Sequence, residues 1–234
     1  MEWTGSIRQV VDDIRVIFEG DASGHDLDHT LWVTGLAKQI AEQEMKDSGK
    51  QLDLDVVMLA ALLHDVDDPK LTGRLDGKLE RAEKILGRYQ VPFKQQAEIL
   101  QVIREVSFKG VDSVTPSTWE GRAVQDADRL DAIGAIGIAR TFAFGGSRGR
   151  RMYDPEEKPF MDMDEQQMRK NTHCTLNHFY EKLFLLKDMM TTVTGHTIAE
   201  ERHRRMEQFV HDFLQEWDES MGQIAQWTGD ERVS

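Results

Sequence analysis

Along most of the chain, apolar residues recur every three or four positions, the spacing of one face of an α-helix. Over residues 5–19, Ile7, Val10, Val11, Ile14 and Ile17 fall on such a stripe, and over 29–45 Trp32, Val33, Leu36, Ala37 and Ile40 repeat it. Asp53 stands where a cap is needed before "LDVVMLAALLH", which a short Asp-Pro break follows. Residues 78–89 and 93–106 read as two more helices, parted near Val91-Pro92. After a Ser-, Thr- and Pro-rich loop (111–118), "GRAVQDADRLDAIGAIGIARTFAF" predicts one long buried helix with small residues for close packing. Residues 144–162, "FGGSRGRRMYDPEEKPFMD", read as an excursion loop, and two helices close the chain. In the last of them Met206, Phe209, Val210, Phe213, Leu214 and Trp217 form a core stripe. Strand-like alternation, internal repeats and flexible linkers are not found. The expectation is all-α: one helical bundle domain over residues 1–234, with C-terminal helices (170–220) packing on a core of about 20–140.

The apolar pattern breaks down in one place that asks for an explanation. "AALLHDVDDPK" (residues 60–70) runs from buried-type residues straight into His64, Asp65, Asp67 and Asp68. Packed carboxylates repel one another and resist desolvation. Either the helix ends in water, or a cation sits at its end. The histidines narrow the choice: His25 and His29 open the second helix, His64 ends the next long one, and none lies between 65 and 172. Metal sites in helical bundles draw ligands from the inward faces of different helices. His29, His64 with Asp65, and one aspartate of "QDADRLDA" make such a set. Two imidazoles and two carboxylates suit a divalent ion of intermediate hardness, with positions left for water. Spacing alone does not choose among Asp126, Asp128 and Asp131.

The order His29, His64-Asp65, Asp128 resembles the H…HD…D pattern of the HD-domain metal-dependent phosphohydrolases. "HDLDHTLWV", "ALLHDVDDPK", "VSFKG", "EGRAVQDADRLDAIGAIGIAR", "YDPEEKP" and "NHFYEKLFLLKDMMTT" extend the likeness to small bacterial members, over roughly residues 10 to 217. The resemblance implies a helical bundle of the HD-domain type, with Asp128 as fourth ligand beside His29, His64 and Asp65. Asp131, on the same face at i,i+3, would orient a ligand or a water from behind. Dinuclear relatives place extra histidines between HD and the last aspartate. Their absence here implies a single ion, Mn2+ or Mg2+ by chemical preference. Some relatives carry a histidine where Val106 stands, so the substrate contacts near Ser107 and Phe108 are open. Asp68, three residues after Asp65, is expected to act with it in catalysis by handling the attacking water; the alternative is a turn aspartate before Pro69.

Charge sets the partner class. The net charge of −13 argues against binding a nucleic-acid polymer or an anionic membrane, while a small anionic substrate is admissible where a metal and a few cations reverse the field. Lys70, Lys109, Arg129 and Arg140 are the candidates to bind its phosphate, unless Arg140 braces a carboxylate inside the bundle. Arg148, Arg150 and Arg151 of the glycine loop form either a phosphate clamp or a solvated loop. His25 reads as a loop residue, His178 as a residue lining the cleft, and the other C-terminal histidines as structural. No apolar run approaches the ~20 residues of a bilayer span, and the N-terminus is unlike a secretory signal. The single cysteine, Cys174, reads as a structural thiol and fits a reducing compartment, so the cytoplasm is expected. The favoured activity is a nucleotide pyrophosphohydrolase releasing pyrophosphate from a nucleoside triphosphate. A phosphomonoesterase or phosphodiesterase, or a non-catalytic nucleotide sensor holding a metal, are the alternatives.

Overall fold

The computed structural model describes residues 6–19, 26–74, 76–106 and 112–228, and among them there is no β-strand. The first three helices are α1 (Ile7–Phe18), α2 (Leu27–Ser48) and α3 (Leu54–Leu63). The short α4 (Pro69–Thr72), α5 (Glu80–Arg88) and α6 (Phe93–Val106) follow. Then come α7 (Trp119–Asp131) and α8 (Gly134–Ser147), the short α9 (Glu165–Lys170) and α10 (Asn177–Glu181), a 3-10 helix (Leu183–Met189) and the long α11 (Val193–Thr228). The all-α expectation holds. Among the described residues no helix is long and apolar enough to cross a membrane.

The stripes read from the sequence become the core, with the exception of Trp32, which is 46% exposed. Val10 and Ile14 of α1, Val33, Ala37 and Ile40 of α2, and Met206 and Val210 of α11 are buried in one hydrophobic cluster. α3 is buried from Val56 to Leu63, apart from Met58, which explains its lack of a polar face. α7 packs against α2, α3, α6 and α11 and is buried on nearly all sides. Caps fix where helices begin. The Asp53 carboxylate accepts from the amides of Asp55 (3.0 Å) and Val56 (3.2 Å), and Asp26 does the same for His29 (2.8 Å).

One expectation is corrected. The single long helix predicted from "GRAVQDADRLDAIGAIGIARTFAF" is two, because the chain turns at Ala132-Ile133 and Gly134 takes φ +81°. That left-handed conformation suits glycine. A Cβ at Gly137 would come within 2.2 Å of the Ala132 carbonyl oxygen, so the corner is drawn too tight for a side chain there. α8 then runs through Ser147, taking up the first residues of the expected loop. Three short segments, α9, α10 and the 3-10 helix, and not one helix, precede α11 in the closing part of the chain.

Candidate metal centre

Four side chains from three places in the chain converge. His29 lies in the first turn of α2, His64 and Asp65 in the turn that ends α3, and Asp128 in the last turns of α7. His29 Nε2 is 3.3 Å from His64 Nε2, 3.4 Å from Asp65 Oδ2 and 3.5 Å from Asp128 Oδ1. His64 Nε2 is 3.3 Å from Asp65 Oδ2 and 3.7 Å from Asp128 Oδ1. Donors about 2.1–2.2 Å from a shared ion stand about 3.0–3.6 Å apart between right-angled and tetrahedral arrangements. The spacing of His29, His64 and Asp128 is close to what one ion asks for, and Asp65 Oδ2 stands against both imidazoles.

The far sides of both imidazoles explain why the near sides point inward. His29 Nδ1 is 2.6 Å from Asp131 Oδ2, and His64 Nδ1 is 2.7 Å from the Ala61 carbonyl. A carboxylate and a carbonyl only accept, so each Nδ1 carries the proton. In the neutral ring each Nε2 then offers a lone pair to the centre. The side chains of His29, His64 and Asp65 are 7%, 5% and 10% exposed, whereas that of Asp128 is 23% exposed. Burial pulls His29 down, but its bonds to Asp131 and Asp65 and the charge of Asp128 prevail and push its pKa up to about 9. Burial likewise opposes charge on His64, and Asp65 and Asp128 outweigh it, raising the pKa well above the usual value. For Asp128, burial is outweighed by His64 and His29, so its carboxyl lies below the ordinary range. Without a cation the two histidines supply the positive charge that these carboxylates require.

Residues 26–133 match the HD domain family. YpgQ, an uncharacterized protein of Bacillus subtilis, is 38% identical over 199 residues, which cover 84% of this chain and 86% of YpgQ. The chain belongs to the HD-domain family of metal-dependent phosphohydrolases. Solved structures agree with that membership. A protein of Lactobacillus plantarum superposes with a TM-score of 0.78 at 35% identity, covering 90% of this chain and 96% of its own. An HD-superfamily hydrolase of Bacillus thuringiensis does so with 0.69 at 40% identity, covering 91% and 96%. YpgQ in complex with ADP gives 0.67 at 35% identity, covering 88% and 97%.

In this HD-domain protein the three aspartates of "QDADRLDA" have three different surroundings. Asp128 faces the two histidines, Asp131 holds His29 from behind, and Asp126 is fully buried on another side of α7. Asp68 is half-buried; its amide donates to the Asp65 carbonyl at 3.0 Å, which places it one turn beyond that residue. Arg129 is turned inward and donates to the Met189 carbonyl. Arg140 lies against Asp131, its Nε 3.3 Å from Oδ2. Lys70 belongs to α4, but its side chain is not among those described; Lys109, His25, Ser107 and Phe108 lie outside the described residues. Arg150 donates to the Asn171 carbonyl, Arg151 pairs with Asp154 and Arg148 lies over the Phe144 ring, so all three arginines of the glycine loop have local partners. Burial, then Lys182 and Arg150, push the His178 pKa down to about 3. Cys174 is buried, and burial raises its thiol.

Sequence reasoning missed two acidic anchors. Asp67, next to the HD pair, accepts from the amides of Arg81 (3.1 Å) and Ala82 (2.9 Å) and caps α5 from 14 residues upstream. Asp26 holds the His29 amide in the first turn of α2, a role that the Asp-x-x-His spacing would have revealed.

Proposed function

We propose that this protein hydrolyses a phosphoanhydride of a nucleotide, releasing pyrophosphate from a nucleoside triphosphate with one Mn2+ or Mg2+ held by His29, His64, Asp65 and Asp128. The observation that carries the metal is the inward convergence of His29 Nε2 and His64 Nε2, 3.3 Å apart, with Asp65 Oδ2 within 3.4 Å of both and Asp128 Oδ1 within 3.7 Å of both. A nucleotide is supported by the presence of ADP in the YpgQ structure. Such an ion polarises a phosphoryl oxygen and acidifies a bound water. The protein's own share is orientation and proton handling. Asp131 and the Ala61 carbonyl keep both Nδ1 atoms protonated, and Asp68, one turn past Asp65, accepts the proton of the attacking water. Lys70 and Lys109 are assigned to phosphate oxygens, because Arg129 is engaged with Met189.

The test is product release from a panel of nucleoside triphosphates with Mn2+. Pyrophosphate and the monophosphate are expected, with Asp68→Ala lowering kcat about a hundredfold or more while Mn2+ binding is kept. Inorganic phosphate would point to a monoesterase or a stepwise phosphatase, and tight binding without any release to a sensor.

Metal uptake should also release protons. In the metal-free protein His29, with a pKa of about 9, carries a proton at pH 7 that a ligand nitrogen has to lose. Mn2+ affinity is therefore expected to rise with pH up to about 9. Calorimetry in two buffers of different ionisation enthalpy should register at least one proton released at pH 7. An affinity that stays flat between pH 6.5 and 8.5 would contradict the assignment of His29.

A further inference from the structure

His29 is secured at two points, by Asp26 at its backbone amide (2.8 Å) and by Asp131 at its ring Nδ1 (2.6 Å). Both of these carboxylates approach the same guanidinium. Arg140, on α8, has Nε 3.3 Å from Asp131 Oδ2 and Nη2 3.8 Å from Asp26 Oδ1. The Trp32 ring, one turn after His29 on α2, lies 5.5 Å from the guanidinium carbon, measured to its centroid. The Arg140 side chain is 21% exposed and that of Asp131 only 4%, so their contact is shielded more than an ordinary surface pair.

We propose that Arg140 is a positioning residue for metal ligation, bridging the two carboxylates that fix the backbone and the ring of His29. This rests on the metal reading above. Asp131 shares a face of α7 with Asp128, and nothing in its chemistry prevents it from turning toward a cation. The guanidinium charge, with Nε 3.3 Å from Oδ2, favours keeping that oxygen on the Nδ1 side of His29, so the carboxylate orients the ring instead of competing with it. By reaching Asp26 as well, Arg140 ties the start of α2 to α8 on either side of the ligand. Arg140 thereby acts on the ion only through Asp131 and His29, which is the carboxylate-bracing alternative of the sequence reading and not the direct phosphate contact.

Mn2+ affinity, measured by electron paramagnetic resonance or calorimetry without any nucleotide, separates these roles. Arg140→Gln is expected to weaken binding about tenfold, and Asp131→Asn by about 10- to 100-fold. In the double variant the loss should stay close to that of Asp131→Asn alone, because the nearer and more shielded contact of Arg140 is with Asp131, Asp26 being reached only at 3.8 Å. Arg140→Lys, whose single ammonium cannot span both carboxylates, should lose about threefold. Arg140→Gln affinity within about twofold of wild type, or losses that multiply in the double variant, would overturn the proposal. A raised KM for nucleotide with intact Mn2+ affinity would do so too and return Arg140 to the substrate. If Arg140→Gln does not fold, unchanged affinity in Arg140→Lys has the same force. Wild type that takes up no Mn2+ refutes the metal reading itself, which is a different result from a wild type that binds and an Arg140→Gln that binds equally well.

Discussion

Asp128→Ala is expected to lower kcat/KM by about a thousandfold or more, the equivalent of roughly 4 kcal/mol, because a bound metal supplies several kcal/mol of transition-state charge stabilisation. Asp128 contributes the one oxygen of the site that comes from α7, 3.5 Å from His29 Nε2 and 3.7 Å from His64 Nε2. Its loss would leave only the two imidazoles and Asp65 to hold an ion. The same variant should bind Mn2+ much more weakly and retain its circular dichroism, since the Asp128 side chain is the most exposed of the four. Release of product at the wild-type rate would remove Asp128 from the site and with it the whole proposed donor set.

Asp126, two residues earlier on the same helix, should behave in the opposite way. Its fully buried carboxylate accepts from the amide of Thr191 (3.0 Å) and from the amide (2.8 Å) and hydroxyl (2.7 Å) of Thr192. These threonines lead into α11, and Glu44 of α2 takes the Thr194 amide at 3.0 Å. A buried carboxylate is thus the N-terminal anchor of the longest helix, supplied from 65 residues away. Burial raises the Asp126 pKa, and the threonine donors oppose it. Asp126→Ala strands several buried donors and is expected to destabilise the fold by roughly 3 to 5 kcal/mol. At this chain length that corresponds to roughly 10 °C in Tm, read by thermal melting of the metal-free protein. A shift of only a degree or two would show that water replaces the carboxylate at no cost.

The contrast between these two aspartates marks where sequence reasoning ends. Helices with an apolar stripe were legible, as Val10 and Ile14 or Met206 and Val210 illustrate, because burial of one face imposes a 3.6-residue period. α7 was not readable that way, being buried on nearly every side. Nor was its end, which depends on the tight corner at Ala132-Ile133. That His29, His64, Asp65 and Asp128 meet followed from an ordered motif, not from spacing. The split of duties among Asp126, Asp128 and Asp131 depends on helix packing that joins residues 65 or 102 positions apart. The contact of Arg140 with Asp131 has the same origin: it needs the corner that folds α8 back, and the sequence showed no corner.

That uneven exposure sets a direction for traffic. Of the four groups, the two imidazoles and Asp65 are the dry ones, and water reaches the cluster chiefly beside Asp128. Bulk added beside that carboxylate should therefore hinder an incoming molecule more than changes deep in the bundle.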